Sequence, residues 1–116
     1  MPIFASHTLP YGTIVEAINP KNGRKVRLIC YDYMASKTKN DVAPKYLNYL
    51  CGKRCSGFKG ELRIIDTSHA CKDNPKTRKN EGQSFKCMRS ERIDDKPIGA
   101  YLDDKEVKQL GLGIVK

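Results

Sequence analysis

A chain of 116 residues with 39% apolar content is long enough for one compact core and too short for two. Its formal charge of +9, from 22 Lys and Arg against 13 Asp and Glu, concentrates anionic partners around it: nucleic acid, acidic glycan or an anionic membrane surface. No stretch reaches the roughly 18 apolar residues that a membrane-spanning helix needs, and no charged-then-apolar leader opens the chain.

The first legible unit is a hairpin. Residues 13–19 are apolar and β-branched. Residues 24–31 alternate, with Val26, Leu28 and Cys30 on one face and Lys25 and Arg27 on the other. Between them, Pro20-Lys21-Asn22-Gly23 is turn chemistry, and Asn-Gly supplies the positive φ that a tight connection demands.

From residue 33 to residue 60 the alternation stops. Pro44 interrupts, Tyr46 to Leu50 form a short amphipathic patch of one or two helical turns, and Cys51 to Gly57 is loop composition. An irregular segment this long inside a small domain is usually functional or stapled. Residues 61–66 then form a short strand, with Leu62 and Ile64 on one face and Ile65 on the other. A turn capped by Asp66 or Thr67 follows.

Residues 72–86 are charged, Asn-rich and interrupted by Pro75, which predicts a loop. Residues 103–110 predict a helix with explicit ends: Asp103 caps it, Glu106 completes a capping box and Gly111 closes it. Leu102, Val107 and Leu110 give it an apolar stripe, and residues 112–115 read as a last strand. The whole is mostly β.

Five cysteines allow two bridges and one free thiol. The expected pairs are Cys51 with Cys55 and Cys71 with Cys87, leaving Cys30, a strand residue, as the odd thiol. A zinc site or free thiols throughout remain alternatives; zinc would need three or four thiolates, because His7 and His69 are the only histidines. Bridges would place the protein in an oxidising compartment. No cofactor is implied.

Four segments, in order, resemble the double-psi β-barrel of the rare-lipoprotein-A and expansin type: Thr8-Leu9-Pro10-Tyr11-Gly12-Thr13; Asn22-Gly23-Arg24 with the run ending at Asp32; Arg63-Ile64-Ile65-Asp66-Thr67-Ser68; and Leu110-Gly111-Leu112-Gly113-Ile114-Val115. The third is similar to that family's Arg-Ile-Ile-Asp-Leu-Ser signature. The resemblance implies a six-stranded double-psi barrel with one short helix near the C-terminus and an open groove for a glycan. It also implies two insertions, at about 33–60 and 71–97, offering lids or a surface for a protein partner. Members either cleave peptidoglycan as lytic transglycosylases or bind and loosen wall polymers without hydrolysis. A secreted, periplasmic or wall-associated monomer follows from the same likeness.

On that resemblance Asp32 falls on a catalytic position and Asp66 on the position needed for wall loosening. His7 stands one residue later than the family's histidine, whose place Ser6 takes. Transglycosylation needs one carboxyl group that protonates the bridge oxygen and then takes the proton of the sugar's 6-hydroxyl, so its pKa must be raised. Each Asp ends an apolar run, which puts it at a sheet rim. Alternatively, Asp66 accepts backbone N–H bonds in a turn. Tyr11, Tyr31 and Tyr33 offer rings for sugar stacking, Ser6 and Thr8 offer hydroxyls, and His69 lies within reach of Asp66. Nucleic-acid binding is the weakest alternative, since a basic helix, a zinc-finger spacing and an RNP-like aromatic strand are all missing.

Overall fold

A computed structural model describes residues 2–70 and 104–116. Among them are six strands and two helices. In chain order they are β1 (Ile3–Ser6), β2 (Ile14–Ile18), β3 (Lys25–Tyr33), β4 (Asp41–Val42), α1 (Pro44–Cys51), β5 (Glu61–Asp66), α2 (Asp104–Gln109) and β6 (Gly113–Ile114). The Cys71–Cys87 pair, the second insertion and the Asp103 cap lie outside the described residues.

The hairpin forms where the alternation placed it. β2 and β3 pair antiparallel from Ile14↔Ile29 to Ile18↔Lys25. Gly23, at φ 75°, lets the turn close, and its N–H donates to the Asn19 carbonyl at 2.8 Å. The register puts Val15, Ala17, Val26, Leu28 and Cys30 on one face, all buried. The opposite face carries Ile14, Ile29 and Tyr31, with Glu16 between the cations of Arg27 (3.3 Å) and Lys25 (3.9 Å). Burying Glu16 is tolerated because those charges and hydrogen bonds replace its water.

The strand order is β4-β1-β3-β2-β5, with β6 bonded to the first part of β3, and the described sheet does not close on itself. β1 runs parallel to β3, while β2, which follows β1 in the chain, lies on the far side of β3. A simple meander would not produce this arrangement. Parallel neighbours need a long crossover, and here the crossover contains β2 itself.

Residues 33–60 hold more regular structure than their composition predicts. Pro44 starts α1 at a position where its missing N–H costs nothing, so it initiates a helix instead of interrupting one. Gly52 ends that helix at φ 78°, its N–H donating to the Asn48 and Tyr49 carbonyls. Tyr46 and Leu50 are the residues α1 buries, and both belong to the main core. Cys51 and Cys55 are bridged and Cys30 is a buried free thiol, as the sequence predicts. The α2 terminus is a Schellman motif: the Leu112 N–H donates to Val107, the Gly111 N–H to Lys108, and Gly111 sits at φ 68°. Among the described residues, no helix is long and apolar enough to cross a membrane.

Candidate functional site

Topology decides which predicted residues meet. β1, β3 and β5 all run opposite to β2, so their C-terminal ends and the start of β2 share one end of the sheet. That end gathers Ser6, Asp32 and Asp66: Ala5 pairs with Asp32, Ser6 with Tyr33, and Ile14 with Asp66. Two acids distant in the chain therefore reach the same rim.

They do not form a contacting pair. β2 lies between their strands, a lateral gap of about 10 Å at the usual strand spacing. Along the strands, Asp66 stands opposite Ile14, whereas Asp32 is beyond Ile29, the residue opposite Ile14 on the other side. The lead-in to β2 fills the space between. The Gly12 N–H donates to the Cys30 carbonyl at 2.7 Å, and a Cβ on Gly12 would overlap the His69 carbonyl. Glycine at φ 93° is what lets this backbone pass between β3 and the turn after β5.

Asp66 is held as a carboxylate. The Ser68 hydroxyl and the Ser68 N–H (2.8 Å) bond it, and His69 Nε2 lies 4.0 Å away, so its pKa falls below the ordinary Asp value. It therefore organises the turn closed by the Ala70 N–H on the Thr67 carbonyl, and serves as an acceptor, not a proton donor, near neutral pH. Asp32 is half-buried next to Cys30. Burial pushes the Cys30 thiol up to about 12, with the Asp32 charge adding to the rise against the lowering effect of the Asp32 backbone bond.

The remaining predicted residues divide by burial. Ser6 is buried, and its hydroxyl accepts the N–H groups of Thr8 (3.3 Å) and Leu9 (3.2 Å), bracing the exit from β1. His7 is buried, with Nδ1 3.2 Å from the Met34 carbonyl, to which it donates in the Nδ1–H tautomer. Tyr11 and Tyr31 are core residues, and burial, with the Glu106 charge on α2, pushes the Tyr31 hydroxyl up to about 12. Neither ring presents a face to a sugar. Thr8 and His69 are exposed.

A groove of about 510 Å³ opens elsewhere, lined by none of these residues. Its lining includes the apolar Ala17, Leu47, Leu50, Phe58 and Leu62 and the polar Asn40, Asp41, Lys59 and Glu61. Sequence reasoning missed it because its walls come from four separate stretches; the Gly57-Phe58-Lys59-Gly60 run was the only local signal. Comparison of the chain with protein-family models, curated proteins and solved structures found no match.

Proposed function

We propose that this domain acts on a cell-wall polysaccharide, peptidoglycan or another anionic wall glycan, which lies across the acid-bearing end of the sheet. The observation supporting this is the delivery of Asp32 and Asp66 to one rim by strands that are not sequence neighbours. The ordered motifs similar to rare lipoprotein A and expansins add to it. So does the parallel β1–β3 pair with β2 on its far side, the kind of crossed connection a double-psi barrel is built from. The Cys51–Cys55 bridge agrees with a secreted, periplasmic or wall-associated location.

In this reading Asp32 is the general acid and base of a lytic transglycosylation. It protonates the glycosidic oxygen, then accepts the proton of the 6-hydroxyl as that oxygen closes the anhydro ring. Asp66, kept ionised, accepts hydrogen bonds from the sugar. A second reading, glycan binding without cleavage as in expansins, is favoured by the lowered pKa of Asp66, which leaves it an acceptor for sugar hydroxyls and not an acid. The domain acts as a monomer, with residues 33–60 available to a protein partner.

Incubation with purified sacculi followed by mass spectrometry separates these readings. Anhydro-ended fragments that disappear in Asp32→Asn establish cleavage. Retention on sacculi without fragments, weakened by Asp66→Asn, establishes the binding module. No retention and no fragments rejects both.

A further inference from the structure

The hairpin turn and the disulfide loop, far apart in sequence, are locked together at the end of the sheet opposite the two acids. The Asn19 and Asn22 side-chain amides both donate to the Leu50 carbonyl, at 2.8 and 2.9 Å. Arg24 Nη1 donates to the Tyr49 carbonyl at 2.9 Å, and its guanidinium lies 4.9 Å from the centre of the Tyr49 ring. Asn48 Oδ1 accepts the Cys55 N–H at 3.1 Å, and the Cys51–Cys55 bridge closes the loop that carries Lys53 and Arg54. The C-terminal carbonyls of α1, which would otherwise face water, are thus used to hold the hairpin tip.

This joint sets the turn that carries Lys21 and Arg24 against the start of the loop that carries Lys53 and Arg54, and all four are exposed. Neither contributing segment carries an acid, since residues 17–31 and 42–60 contain no Asp or Glu. Lys25 and Arg27, deeper in the hairpin, are already paired with Glu16, whereas the four outer cations make no ion pair with a described carboxylate. A concentrated positive field on a braced backbone is different from a scatter of surface lysines: little loop entropy is lost when a polyanion docks. Arginine also keeps free donors suited to phosphate or carboxylate oxygens after one is used internally.

We infer that this surface is a docking platform for a linear anionic glycan whose phosphate or carboxylate groups repeat along the chain. The choice of a glycan rests on the wall reading above; the platform itself rests on the joint between turn and loop. About 20 Å of sheet separates it from the acid-bearing rim, at the usual rise per strand residue. The platform therefore anchors a polymer whose distant segment reaches the acids.

The test is a titration of the full oxidised chain with labelled phosphorylated linear dextran, polygalacturonate and single-stranded DNA at low salt. The two glycans separate phosphate from carboxylate as the source of charge, and tighter binding of either than of DNA supports the platform. The pair Lys53→Glu and Arg54→Glu is expected to weaken glycan binding at least tenfold. The pair Lys105→Glu and Lys108→Glu makes the same charge change on α2 and is expected to change it less than threefold. Equal losses from both pairs would mean that net charge, not this surface, attracts the polymer, and would overturn the inference. Tighter binding of DNA than of either glycan would overturn the choice of ligand. The acid-rim proposal is read separately, by anhydro-ended fragments released from sacculi, so a platform that fails to bind polymer and a rim that fails to cleave are told apart.

Discussion

β3 and β5 flank the same strand, β2, and both pair with it antiparallel along its whole length. Their side chains meet opposite fates. Val26, Leu28, Ile29 and Cys30 of β3 are 0% exposed, while Leu62, Ile64 and Ile65 of β5 are 38%, 53% and 39% exposed. The difference lies in what covers them. β3 is central, bounded by β1 and β6 on one edge and β2 on the other, with α1 against it. β5 ends the described sheet. Backbone pairing is thus satisfied in both, whereas apolar stabilisation scales with area removed from water and accrues chiefly to β3.

The sharpest way to break this comparison is truncation. Leu28→Ala is expected to cost about 3 kcal/mol by denaturant unfolding, from lost burial and the cavity left behind. Ile64→Ala should cost less than about 1 kcal/mol, as at an exposed strand position. Similar losses at both sites would show that β5 is covered as fully as β3.

Glycines at the two ends of β2 sharpen it next. Gly12→Ala is expected to cost about 2 kcal/mol or more, because positive φ is compounded by collision with the His69 carbonyl. Gly23→Ala, with open space around it at φ 75°, should cost about 1 kcal/mol. Equal costs would mean that the β2 lead-in does not pass so tightly against the turn after β5.

The interior of β3 also predicts a pH response. The folded Cys30 pKa is raised from 9.0 to about 12, so its contribution is complete below pH 9 and declines as pH rises towards 12. The unfolding equilibrium constant should grow about tenfold per pH unit in that window. Tyr31, raised from 10.0 to about 12, adds to the loss above pH 10. Cys30→Ala should flatten the first part of the curve, and alkylation of the folded protein at pH 8 should spare Cys30.

The smallest effect belongs to the end of β5. The Asp66 pKa is lowered, so its contribution is present above the ordinary Asp value and is lost as pH falls through the folded value. Asp66→Asn should remove a slight acid destabilisation that the parent shows below about pH 4. An unchanged acid limb would mean that the Ser68 and His69 contacts do not stabilise the charged form.

Local chemistry determined the β2–β3 hairpin, its Asn-Gly turn, the β5 run, the Cys51–Cys55 loop and the Gly111 helix end. In each, the deciding interactions lie within a few residues or one strand partner. Alternation also fixed which side chains share a face: Val26, Leu28 and Cys30 did. Residues 33–60 were less legible, because α1 is secured by burying Tyr46 and Leu50 against distant strands, a gain that composition does not register.

For the candidate site the division is similar. That Asp66 ends its strand was visible in the sequence, and β3 runs one residue past the expected end at Asp32, to Tyr33. Tertiary structure alone decided that Asp32 and Asp66 share a rim with β2 between them, that Tyr11 and Tyr31 turn inward, and that the turn carrying Lys21 and Arg24 is braced against the end of α1. Periodicity specifies a face, but not what packs against it. That choice depends on area buried and charges paired between segments the chain order keeps apart.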